Sequence, residues 1–139
     1  GFSTAAGYFA ARSTAKRSAP FLRELINRLR PVALTVDVQT HSLGARVALT
    51  ALRQPRQTFI DNLLLSAPAV DHEILEPQQD FHSSLESCNR CFVFHSKHDG
   101  VLKRAYRLGD IADGAGPALG LRGPRSKAAT LAHCPNVHV

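Results

Sequence analysis

The sequence predicts an α/β protein: a mostly parallel sheet flanked by helices, incomplete at both ends. Four observations carry that prediction. Segments of two-residue periodicity alternate along the chain with segments of helical periodicity, the pattern of βαβ units with a sheet covered on both faces. The composition, 44% hydrophobic and 20% charged over 139 residues, is that of ordinary globular protein. A chain of this length has room for one domain, in which folding buries roughly two-thirds of the unfolded surface. Finally, a tight turn, Thr40-His41-Ser42-Leu43-Gly44, joins a strand pattern directly to a helix pattern.

Residues 1–17 are small, polar and basic, and read as a loop with a helical turn over 9–16. Ser18 is placed to cap a helix with Pro20 in its first turn. Leu22, Leu25, Ile26 and Leu29 then share one face before Pro31 ends the helix. Residues 32–39 put Val32, Leu34, Val36 and Val38 on one side and Ala33, Thr35, Asp37 and Gln39 on the other, which is strand periodicity. After the turn, Ala45, Val47, Ala48, Leu49 and Leu52 form a helix that Pro55 stops. Residues 59–67 and 91–96 read as short apolar strands, with a polar loop and short helix over 71–87 between them. The text from Asp110 to Lys127 is rich in glycine and proline and reads as an irregular surface excursion. Residues 136–139 begin a fourth strand.

The formal net charge of +6 rests on Lys and Arg scattered from Arg12 to Lys127. Scattered cations are the ordinary solvated surface, and no stripe interleaved with aromatics marks a nucleic-acid partner, so none is expected. No apolar run reaches the roughly 18 residues of a membrane span. The chain contains no Met and ends in "NVHV", so we expect a single domain over residues 1–139 that is cut at both ends. A leader is therefore not readable. Three cysteines, one short of two disulfides, fit a reducing, cytoplasmic compartment slightly better.

The turn raises the chemical question of why a serine stands at its tip. An abrupt strand-to-helix turn strains its central residue and favours small neighbours two positions away; Gly44 supplies one. The hydroxyl then projects above the carboxyl edge of the sheet, and the Leu43 amide points to where an oxyanion would form. That is a nucleophile elbow. Thr40 departs from G-x-S-x-G, and its branched side chain should widen the turn. The plainer alternative is Ser42 as an N-cap of the following helix. A serine nucleophile needs a base and an orienting acid, in the chain order Ser, acid, His. Asp99, just past the strand "CFVF", stands where the acid belongs, and Asp71 after "LLLSAPAV" is the fallback.

The segments "THSLGARVALTAL", "NLLLSAPAVDHEIL" and "RCFVFHSKHDGVLKRAYRLG", in that order, resemble a bacterial branch of uncharacterised α/β hydrolases over residues 22–109. The resemblance implies Ser42 as nucleophile, Asp99 as acid and the Leu43 amide as half of an oxyanion hole. It also accounts for Thr40, because that branch carries alanine instead of glycine there. The second oxyanion donor and the catalytic histidine of the branch would fall outside residues 1–139. Among the histidines present, His41 is placed to line a pocket and His95 sits in a strand, while His72, His82 and His98 precede the position the order requires. His133 and His138 follow Asp99, and His138 is the stand-in base.

The expected activity is hydrolysis of a small-molecule ester or related acyl substrate by a Ser-His-Asp mechanism needing no cofactor. Residues 1–139 alone should show little of it. The other class of reading is a non-catalytic hydrolase-like module that binds through its basic surface. The alternating polar residues Asp37 and Gln39 lend that reading weight, because central parallel strands are usually apolar throughout. Cys88-x-x-Cys91 with His133 and Cys134 could supply zinc ligands, but one such pair is weak and a buried thiol is commonplace, so no metal is expected. The sequence is silent on oligomeric state.

Overall fold

The computed structural model describes residues 5–53, 58–104 and 116–139. Four parallel strands, β1 (Asp37–His41), β2 (Ile60–Ser66), β3 (Cys88–Phe94) and β4 (Val137–His138), lie in sequential order. The helices are α1 (Ala5–Leu29), α2 (Gly44–Leu52), α3 (Leu119–Arg122) and α4 (Lys127–His133), with a 3-10 helix at His82–Ser87. Residues 100–104 are also helical. The expected α/β class with a mostly parallel sheet is therefore the observed one.

Helix α1 runs through the segment expected to be loop. Its hydroxyl residues fit because they satisfy themselves within the helix: Thr14 Oγ1 donates to the Ala10 carbonyl and Ser18 Oγ to that of Thr14, each at 3.0 Å. Ser18 is thus a mid-helix residue, not a cap, and Pro20 stands inside the helix. The buried face also differs from the expected one. Ala15, Ala19 and Ile26 (2% exposed) are inside, whereas Leu25 is 53% and Leu29 41% exposed. The two alanines let α1 approach α2 closely, and Leu25 and Leu29 fall to one side of that seam.

Strand β1 is shorter than predicted. Val32 and Leu34 are 82% and 100% exposed, because the ladder starts only where the Asp61 amide donates to the Val36 carbonyl at 2.8 Å. Residues 32–35 precede any partner, and periodicity without a partner makes no strand. The expectation for residues 110–115, and that of a helix stop at Pro55, lie outside the described residues.

Among the described residues, α1, α2, α4 and the 3-10 helix pack against one face of the sheet. That face carries Val38, Leu63, Leu65, Cys91, Val93 and Val137. The expected cover on the second face is not seen there: Asp37, Gln39, His41 and Phe94 are exposed on it. The polar alternation of β1 follows from this. In one register row, Asn62 Nδ2 donates to Asp37 Oδ1 at 2.6 Å and Arg90 Nε to Asn62 Oδ1 at 2.9 Å, a polar chain across three strands.

Candidate functional site

At the carboxyl edge of the sheet the chain leaves β1 and enters α2 within two residues, Ser42 and Leu43. Ser42 sits at φ +53°, a left-handed conformation that costs a non-glycine residue on the order of 1–2 kcal/mol. Backbone bonds on both sides hold it there. Its amide donates to the Ser66 carbonyl, and its carbonyl accepts from the Ala69 amide, each at 3.1 Å. Ala67, at the end of β2, has φ +45° and is tied to the Phe94 carbonyl at 2.9 Å. Nothing in the local residues marks this second strained position, since alanine carries no preference for positive φ.

Ser42 does not act as the helix cap. The N-cap position belongs to Leu43, and the first turn of α2 has no side-chain cap bond. The turn also does not need Gly44 for space, since a methyl group there would meet Thr40 Cβ at an ordinary 3.5 Å. Thr40 fits without crowding, and its hydroxyl donates to the Leu64 carbonyl at 3.3 Å.

A cavity of about 210 Å³ is lined by His41, Ser42, Ala67, Asp99, Val101 and Leu102. Residues from three strand ends, 57 positions apart at the extremes of Ser42 and Asp99, meet there. Asp99 is positioned by the helical turn it begins: its Oδ1 accepts from the Leu102 amide at 2.8 Å, and its carbonyl accepts from the Lys103 amide at 3.0 Å. Asp71, the fallback acid, lies elsewhere, in an antiparallel bridge with Ala118. His138 also stays away from the cavity. It stacks on Phe92 at 4.9 Å between ring centroids, on β4, three strand spacings or about 14 Å from β1. His41 is the histidine that lines the cavity.

A second cavity of about 680 Å³ adjoins the same segment and is lined by His95, Ser96, Lys97, His98, Lys103, Leu121 and Arg122. The sequence reading treated these cations as scattered surface.

The three cysteines are buried free thiols. Burial, with Cys134 nearby, pushes the Cys88 thiol up to about 12; burial also raises Cys91 and Cys134. The raised values favour the neutral thiol over the thiolate at physiological pH. Among the described residues no cluster of His, Cys, Asp or Glu has the arrangement of a metal site. No described helix is long and apolar enough to cross a membrane.

A parallel sheet carrying a strained serine between the end of a strand and the start of a helix is the architecture of the alpha/beta hydrolases. The chain belongs to one family of that class: the model of the alpha/beta hydrolases of unknown function (DUF900) matches residues 3–129. No curated protein and no solved structure matches it significantly.

Proposed function

We propose that the protein is a serine hydrolase acting on an ester or related acyl substrate, with Ser42 as nucleophile. The observation that carries this reading is the φ of +53° at Ser42, in a residue that caps nothing and opens onto the cavity shared with Asp99. Strain at a serine with no structural task is the mark of an attacking group held in place.

In the reaction, a histidine removes the Ser42 proton as Oγ attacks the acyl carbonyl. The amide of Leu43, at the start of α2, faces the tetrahedral oxyanion, where a preorganised donor is worth on the order of 3 kcal/mol. The histidine then protonates the leaving group, and water, activated by the same imidazole, releases the acyl chain. Asp99 orients the imidazole. Its Oδ1 is engaged by the Leu102 amide, which holds the carboxylate still and leaves Oδ2 for the ring. His41, which lines the cavity, is the base within reach among the described histidines; His138, the stand-in that chain order supplies, stacks on Phe92 away from it.

The test is labelling with a neutral fluorophosphonate followed by peptide mass spectrometry. Modification of Ser42 in the native chain, absent from Ser42→Ala, is the expected result. Among His41→Ala and His138→Ala, the variant that loses labelling identifies the base. An intact chain that is never labelled at Ser42 would remove this reading.

A further inference from the structure

The larger cavity carries an inference that rests on the reading of Ser42 as nucleophile and concerns what its substrate bears. Lys97, Lys103 and Arg122 line it together with His95, His98 and the Ser96 hydroxyl, and among the described residues no carboxylate lines it. None of the three cations makes an ion pair or a side-chain hydrogen bond to a described residue. Elsewhere Arg28, Arg30, Arg53 and Arg125 each meet an acid, at Glu24, Asp61, Asp80 and Glu73. Three unpaired cations around one concavity repel one another, an arrangement that an anion relieves.

The backbone walls of the cavity are fixed, while its polar side chains, His95, Ser96, Lys97, His98, Lys103 and Arg122, are exposed. Its two walls, residues 95–103 and 119–123, are locked together where the Ser96 amide donates to the Gly120 carbonyl at 2.9 Å. Gly123, at φ +75°, brings its backbone against the His95 ring; a Cβ there would stand 3.0 Å from Nε2. At about 680 Å³ it has the size of a small-molecule site. Residues 95–103 also wall the smaller cavity, through Asp99, Val101 and Leu102, so the two cavities flank one segment.

We propose that the larger cavity binds a phosphate-type oxyanion, and that the acyl substrate of Ser42 carries such a group. A guanidinium offers a planar fork for two phosphate oxygens, two ammonium groups add compact charge, and the Ser96 hydroxyl can donate a further bond. A multiply charged anion matches three permanent cations better than a single carboxylate would.

The probe is inorganic pyrophosphate, titrated calorimetrically into the full chain at fixed ionic strength. Binding is expected to weaken roughly tenfold in Arg122→Gln and again in Lys97→Gln, the loss of one charge-assisted hydrogen bond each. Lys16→Gln removes the same charge from the exposed surface of α1 and should leave binding unchanged. Absence of binding, or equal weakening in Lys16→Gln, would overturn the proposal. A second arm separates a substrate's phosphate from free phosphate by comparing kcat/KM for an aryl ester with and without a phosphate on its acyl chain. A preference for the phosphorylated ester that collapses in Arg122→Gln is expected. No preference overturns the substrate half of the proposal. Pyrophosphate binding needs no nucleophile, so a chain that binds it but is never labelled at Ser42 retires the hydrolase reading and upholds the oxyanion site.

Discussion

The two ends of helix α2 are built on opposite terms. At its carboxyl end, the five successive carbonyls from Leu49 to Arg53 all accept from side chains, that of Thr50 also from the Arg53 amide at 3.5 Å. Ser84 Oγ donates to Leu49 at 2.7 Å and Ser87 Oγ to Leu52 at 2.8 Å. Arg23 reaches Thr50 and Ala51, and Ser83 donates to Arg53 at 3.0 Å. At its amino end there is no side-chain cap, and the residue before Leu43 is held at φ +53°. One helix therefore has an end where every polar group is spent and an end where donors and strain are left available. The first end lies at the amino edge of the sheet and anchors the fold. The second lies at the carboxyl edge, beside the smaller cavity, where ligands of open α/β sheets bind.

The comparison is tested most severely at Ser42. Ser42→Ala should abolish the aryl-ester hydrolysis that the chain shows, little as residues 1–139 alone are expected to give, with an unchanged circular dichroism spectrum. Activity within tenfold of the native chain would mean the strained end does no chemistry.

Gly120 tests the same edge by stability. A Cβ on Gly120 would overlap the Ala67 carbonyl carbon and stand 2.5 Å from the Pro68 nitrogen, both backbone atoms that cannot step aside. Gly120→Ala should therefore cost about 3 kcal/mol, read as a lowered urea midpoint, and should disturb the Ala67 turn next to Ser42. Next in size are the buried serines of the other end. Ser84→Ala and Ser87→Ala each leave a buried carbonyl without its donor and should cost about 1–3 kcal/mol while leaving kcat unchanged. Smaller still, and opposite in sign, Ser42→Gly should raise stability by about 1 kcal/mol by relieving the left-handed conformation. That gain, alongside the loss of activity, would show strain retained at the elbow for function.

Much of this was legible in the sequence, and what was not follows a pattern. The elbow was readable because strand, turn and helix are contiguous there, so local periodicity and one serine suffice. Asp99 could be singled out because it stands a few residues past an apolar strand. The carboxyl-end caps were not. Nothing local marks Ser84 and Ser87 as partners of a helix 35 residues earlier. Strand β1 was overread for the same reason: Val32 and Leu34 alternate correctly, but the partner strand begins too late to pair with them. The oxyanion cavity was missed because Lys97, Lys103 and Arg122 look scattered until α3 docks on the end of β3. Features made by one segment show in its text, whereas those made by two meeting segments need the fold.

The gentlest test lies at the anchored edge, where Asp61 joins α1, β1 and β3. Its Oδ2 accepts from the Val36 amide and from Arg30 Nη1, each at 2.8 Å, and its Oδ1 accepts from Asn89 Nδ2 at 3.2 Å. The Val36 amide, with the Arg30 charge behind it, holds this carboxyl below its ordinary value against the opposing effect of burial. A depressed folded-state pKa means that the unfolded chain takes up its proton first as the pH drops. The stabilisation is therefore complete at neutral pH, begins to fail below about pH 4, and is gone once the folded carboxyl is itself protonated. Urea midpoints of the native chain and of Asp61→Asn should differ at pH 6 and draw together as the pH falls below about 4. Because Asp61 is partly open to solvent, the difference should be the smallest of those predicted here, and it should shrink further in high salt. Equal midpoints at pH 6 would mean that Arg30, Val36 and Asn89 lose nothing when the charge is removed, and that the anchored edge owes its stability to the serine caps and the core alone.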